Sequence, residues 1–130
     1  MSDFTTMGEE YRAKSEALQK IRASFMEEWN NVLQDAVRVA MEEAVADVAS
    51  PDVYIEDYGE SLMLKVGPEE NANYIKYSAN FSTRRAIIQC RRRGEVMPRR
   101  ERPFPLNSVT VESVRKDLKN FLHWALGLSH

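Results

Sequence analysis

Between Glu9 and Ala49 the chain has no Gly or Pro, and Leu18, Ile21, Phe25, Trp29, Val32, Ala36, Ala40, Ala44 and Val48 return at three- and four-residue steps. That spacing predicts one amphipathic helix over residues 9–49. Pro51 stops it, because proline lacks the N–H that would continue the ladder and disfavours helical geometry at Ser50. About 40 residues at 1.5 Å each would span roughly 60 Å. A compact chain of this length is only about 36 Å across, so the helix must protrude, bend or break. Asn30 and Asn31 are the only break candidates. Each disfavours helix by only about 0.6 kcal/mol relative to Ala, and the apolar spacing on either side stays in phase, so a continuous or gently bent helix is expected. From Val32 to Val48 the apolar set widens with Leu33, Val37, Val39, Met41 and Val45, as suits burial under a sheet. From Tyr11 to Trp29 it narrows to a seam the width of one partner helix. The simplest such partner is a second copy of the chain, so a homodimer is expected with Leu18, Ile21, Phe25 and Trp29 at its interface.

After Pro51 the period shortens. Val53–Asp57 and Ser61–Val66 are runs of β-formers around Tyr58, Gly59 and Glu60, which predicts a hairpin. In the next run Ile75, Tyr77, Ala79 and Phe81 alternate with Tyr74, Lys76, Ser78 and Asn80; in the one after, Ala86, Ile88 and Cys90 alternate with Arg85, Ile87, Gln89 and Arg91. No Gly or Pro marks the connection at Ser82 and Thr83, so these two runs could instead be one long bent strand. Antiparallel strands are therefore expected over 53–92. Residues 93–109 contain Pro98, Pro103 and Pro105 among charges, which predicts an extended basic loop without regular structure. A last helix over 110–126 is signalled by Thr110 as N-cap, an apolar face of Val111, Val114, Leu118, Phe121, Leu122 and Ala125, and Gly127 past its end. The expected fold class is α+β, one domain over 1–130. A long N-terminal helix and a C-terminal helix pack on one face of a three- to four-stranded antiparallel sheet.

The helix–strands–helix order resembles double-stranded-RNA-binding domains in outline only. The basic start of their second helix is matched by no more than Arg115, Lys116 and Lys119, and their glycine-rich approach to it is replaced by Pro103, Phe104 and Pro105. No residue role is carried over.

Charge changes the picture most. Residues 1–70 hold 16 acidic and 6 basic side chains, and residues 71–130 hold 4 acidic and 12 basic, so −10 and +8 sum to the −2 of the 130-residue chain. Arg84, Arg85, Arg91, Arg92, Arg93, Arg99, Arg100 and Arg102 fall in one short stretch without lysine, opposed only by Glu95 and Glu101. Guanidinium is a planar fork that pairs with phosphate or carboxylate and sheds water more readily than ammonium. The eight arginines are therefore the expected polyanion-binding residues, with nucleic acid the first partner to consider and an acidic protein surface the alternative. Pairing with the chain's own carboxylates, or plain solvation, are the bland readings of the same cluster. Tyr74, Tyr77, Phe81 and Phe104 are nearby aromatics, those with core-facing parity being core. The acidic half reads as a solvated face.

Composition excludes more than it assigns. An apolar content of 43% with 29% charged residues is too hydrophobic for general disorder. The single Cys90 cannot form an internal disulfide, Met1–Glu10 lacks the pattern of a secretory signal, and no apolar run reaches membrane-spanning length, so a cytoplasmic location without membrane contact is expected. Enzyme chemistry finds no support. His123 and His130 are the only histidines, His123 reads as a packed or half-exposed helix residue, and Cys90 shares the apolar face of its strand. No Cys/His spacing suits zinc, no Gly-rich loop suits a phosphate cofactor, and no nucleophile–base order is recognisable. No catalytic residue, metal or cofactor is expected; the chain reads as a binding module, with an adaptor assembled through its long helix as the rival and a small-ligand pocket between sheet and helices as the weakest possibility.

Overall fold

A computed structural model describes residues 3–68, 71–92, 95–103 and 106–128. It opens with a helical rod: α1 (Asp3–Val32), a π-helical turn (Leu33–Arg38) and α2 (Val39–Val48). The rod is unbroken at Asn30 and Asn31, and the π turn has a reason in the sequence. Phe25, Trp29, Leu33, Val37, Met41 and Val45 recur every four residues, and the first five are buried. At 3.6 residues per turn, five such steps drift about 200° around the axis. A turn bonded i to i+5 takes in one more residue, which absorbs about 100° of that drift and keeps the stripe facing the sheet. Beyond α2, Ala49 adopts the left-handed conformation (φ 52°) and its N–H bonds the Val45 carbonyl at 3.1 Å, one residue before the predicted stop.

The sheet comprises β1 (Val53–Asp57), β2 (Leu62–Val66), β3 (Asn73–Asn80), β4 (Arg85–Arg92), β5 (Glu95–Val96) and β6 (Arg100–Pro103), all paired antiparallel; α3 (Val111–Ala125) follows. β1 to β4 are neighbours in chain order, and β5 and β6 share the outer edge of β4. The β1–β2 hairpin turns as predicted, with Gly59 at φ 84° and its N–H donating to Asp57 Oδ1 at 2.7 Å. β3 and β4 are two strands, not one. Asn80 makes their turn, its Oδ1 accepting from the N–H groups of Ser82 (3.0 Å) and Thr83 (3.2 Å), and Arg84 supplies the left-handed residue at φ 55°. Asx turns of this kind need neither Gly nor Pro.

Six strands are more than the three or four expected. The excess lies in the segment read as a loop. Pro98 and Pro103 are compatible with an edge, where one side of the backbone needs no partner, and Pro105 lies outside the described residues. Pro98 lies between β5 and β6, and Pro103 ends β6. α3 begins as predicted at Thr110, whose Oγ1 accepts from Ser113 N–H (3.2 Å) while Ser113 Oγ accepts from Thr110 N–H (2.9 Å), a reciprocal cap.

Both helical elements cover the same face of the sheet. Val53, Leu62, Leu64, Val66, Ile75, Tyr77, Ala86 and Ile88 point into one core with Phe25, Trp29, Leu33, Val37 and Met41 from the rod and Val114, Leu118, Phe121 and Leu122 from α3. Each large apolar side chain buried there contributes about 1.5–3 kcal/mol relative to exposure. Trp29 also donates its indole N–H to the Glu60 carbonyl at 2.8 Å, and Glu28 Oε1 accepts from the Leu106 N–H at 2.6 Å, so the middle of the rod is tied to the hairpin and to the approach to α3. Phe25 and Trp29 are 0% and 2% exposed. Two of the four residues expected at a dimer interface are thus occupied in the chain's own core, and the exposed seam begins at Ile21 and runs toward the start of α1. Among the described residues no helix is long and apolar enough to cross a membrane.

Candidate anion-binding site

The arginines divide between the two faces of the sheet. In β4, Ala86 and Ile88 point toward the helices with Cys90 and Arg92 following in parity, while Arg85, Ile87, Gln89 and Arg91 point away. The return strand adds to both sets. Glu95 and Val96 pair with Arg92 and Arg91, and Arg100 to Pro103 pair with Ile88 to Arg85. Three residues, Met97, Pro98 and Arg99, therefore oppose two, Gln89 and Cys90, which is a β-bulge. A one-residue offset exchanges the faces of everything beyond it. Without the bulge Arg99 and Glu101 would turn toward α3. With it, Arg100 and Arg102 do.

The result is a trough between the β4–β6 edge and α3. Two adjoining hollows of about 270 and 330 Å³ share Ile88, Arg100, Asp117 and Asn120. Arg92 lines the first, Arg102 and Lys116 the second, and Ser108 and Ser113 add hydroxyls. Four cations thus converge around one carboxylate. Asp117 Oδ1 accepts from Arg100 Nη1 at 3.2 Å and its Oδ2 from the Tyr77 hydroxyl at 3.0 Å. Arg92 stacks its guanidinium 5.2 Å from the Trp124 ring centroid, and its Nε is buried with no hydrogen-bond partner among the described residues. Burial pushes the Tyr77 phenol well above its ordinary pKa, with the Asp117 charge and hydrogen bond adding to that, so Tyr77 is a fixed donor to Asp117. Burial likewise raises the Cys90 thiol, against the opposing pull of Arg92 and Arg100, and leaves it a poor nucleophile.

On the other face Arg85 and Arg99 both meet Glu101, at 3.2 and 3.7 Å. Arg91 is half-buried, and Arg84 lies in the β3–β4 turn beside Lys20, Ile21 and Ser24 of α1. Arg84, Arg91 and Arg102 make no ion pair among the described residues. Arg93 and Phe104 lie outside the described residues. The pairs that do form are largely exposed, with Arg85, Arg99 and Arg100 side chains 50%, 59% and 48% accessible; links of that kind are worth only about 0–1 kcal/mol each and leave the guanidinium groups available. Lys116, Asp117 and Asn120 are site residues the sequence reading missed. Their signal was a polar stripe, Ser113, Lys116, Asp117 and Asn120, running beside the apolar face of α3 at helical spacing.

The acidic half is partly engaged internally. Asp57 accepts from Arg38 (2.5 Å) and from Gly59 N–H, which hold its carboxyl below the ordinary value, and Glu56 is held low by hydrogen bonds from Tyr58 and from Lys65. Arg115 joins Glu43 of α2 at 2.8 Å, which raises its pKa. A separate groove of about 350 Å³ lies between α2 and α3, with Ala40, Ala44, Leu118 and Leu122 in its floor, and half-buried His123 lines it. Among the described residues no three His, Cys, Asp or Glu side chains gather as metal ligands. Compared with family models, curated proteins and solved structures, the chain matches none.

Proposed function

We propose that this chain is a non-enzymatic binding module that grips a polyanion, nucleic acid first, in the trough between the β4–β6 edge and α3. The observation that carries the reading is the convergence of Arg92, Arg100, Arg102 and Lys116 around a single carboxylate in a concave, partly desolvated site. Phosphates meet preset guanidinium forks there, and the stacking of Arg92 on Trp124 holds one fork in place before any ligand arrives. Arg85, Arg91 and Arg99, on the opposite face, add to the field that attracts an anion without sharing the site. The acidic first half confines contact to this side.

The test is fluorescence anisotropy with labelled single- and double-stranded oligonucleotides at low salt. The expected result is binding that Arg100→Glu with Arg102→Glu abolishes across sequences and that Arg85→Glu with Arg99→Glu only weakens. No binding at 50 mM salt, or equal loss from both pairs, overturns it.

A second reading is supported by Phe4, Met7, Tyr11, Leu18 and Ile21, which α1 leaves exposed. It is an adaptor that self-associates through this helix, in the cytoplasm, and docks an acidic protein partner on the same arginines. Self-association through the arm is compatible with either occupant of the trough, since the arm and the trough use different residues; the nucleic acid and the acidic partner compete for the same arginines. Sedimentation of the full chain tests the self-association: a mass of one chain at micromolar concentration refutes it.

A further inference from the structure

The part of α1 from Asp3 to Ser24 lies outside the core, and it carries a repeat. Phe4, Tyr11, Leu18 and Phe25 stand seven residues apart, and Met7 and Ile21 follow the first and third of them by three, the spacing of a two-helix seam. Phe4, Tyr11 and Leu18 are 81%, 72% and 48% exposed, whereas Phe25, next on the same stripe, is sealed in the core. The seam therefore runs continuously out of the core into solvent. An arm of 22 residues, about 33 Å long, that leaves its apolar stripe largely exposed and includes Thr5, Thr6 and Gly8 is a marginal helix in water. A helix laid along the seam removes both problems.

Charge selects the occupant and its direction. Asp3, Glu9 and Glu10 make the outer end of the arm acidic without a base among them; Arg12, Lys14, Lys20 and Arg22, against Glu16, make the inner end basic. Arg84 reinforces the inner end, where it encloses a hollow with Lys20, Ile21 and Ser24. Side by side in the same direction, two arms would set acid on acid and base on base. Reversed, each acidic end lies on a basic one. We infer that two copies of this chain pair through their arms as an antiparallel two-helix coiled coil, the outer end of each arm seated at the root of the other. The inference rests on the self-association reading above and adds its geometry. Phe4 meets Ile21 of the second copy in the hollow beside Arg84, Met7 meets Leu18, and Tyr11 covers the methylene stem of Lys14.

The experiment uses the full chain with Cys90→Ser, which removes the native thiol, and compares Met7→Cys, Leu18→Cys and an equal mixture of the two under mild oxidation. Both positions are exposed, so circular dichroism should match the parent. The expected result is a sedimentation mass about twice the 15.0 kDa of one chain and a disulfide dimer abundant only in the mixture. A doubled mass with each variant cross-linking to itself means parallel arms, and a doubled mass with no cross-link means contact elsewhere; either overturns the inference and leaves self-association standing. A single-chain mass overturns both.

Discussion

Asp117→Asn separates an anion-binding trough from a structural ion pair, because the two roles predict opposite signs. The carboxylate sits among Arg92, Arg100, Arg102 and Lys116, its side chain 19% accessible, and replacing it with the isosteric amide takes the local balance from +3 to +4. Asn keeps an oxygen to accept from Tyr77, so the structural loss is one charge-assisted bond and one exposed ion pair, about 1 kcal/mol. An anion seated about 6 Å from the removed charge is relieved of about 0.7–1.4 kcal/mol of repulsion at effective dielectric constants of about 80 to 40. That corresponds to binding about three- to tenfold tighter. Salt gives a second readout. Four cation–phosphate contacts predict a slope of log K against log salt near −3.6, or about a hundredfold loss between roughly 50 and 200 mM. The variant should not flatten that slope. Anisotropy titrations at four salt concentrations, beside thermal melts, measure both effects. A variant that melts lower and binds equally or more weakly refutes the trough as the anion site.

Deleting Pro98 leaves Met97 and Arg99 opposing Gln89 and Cys90, so the bulge closes with Arg100 still opposite Ile88 and Arg102 opposite Ala86 on the α3 side; nucleic-acid affinity should stay within about threefold of the parent, measured by the same two assays, and a much larger loss would refute this register. Ala49→Gly relieves a non-glycine residue of left-handed geometry at φ 52° and should stabilise by about 0.5–1 kcal/mol, or about 2–4 °C in a thermal melt. Glu56 and Asp57 are held below their ordinary values of 4.5 and 3.8. A depressed carboxylate contributes stability that is present above the unfolded pKa and lost as pH falls through the folded one. Melting temperature should therefore drop below about pH 4.5, and Glu56→Gln with Asp57→Asn should flatten that acid limb.

Much of this architecture was legible in the chain because local signals agreed with the tertiary outcome. The end of the rod just before Pro51, the start of α3 at Thr110, the alternation in β3 and β4, and the single covered face all follow from period and caps. What escaped shares one physical cause: a residue count that only pairing reveals. Pro98 reads as a loop residue until the register of β4 shows three residues opposing two, and only then do Arg100 and Arg102 separate from Arg99 and Glu101. Phe25 and Trp29 continue the arm's seam so smoothly that sequence alone could not say where core ends and arm begins. The polar partners on α3 are distant in sequence from the arginines and join them only through packing.

The π-helical turn at Leu33–Arg38 gives the rod something unusual for an element aligned at both ends: slack. Losing exposed Asp35 would let the wide turn relax into ordinary α-helix with Trp29, Leu33, Val37 and Met41 still on one side. A deletion anywhere else along the rod would swing one end against the other by about 100°. Length variants of this chain should thus cluster at that turn, where a codon can vanish without re-aiming the projecting arm.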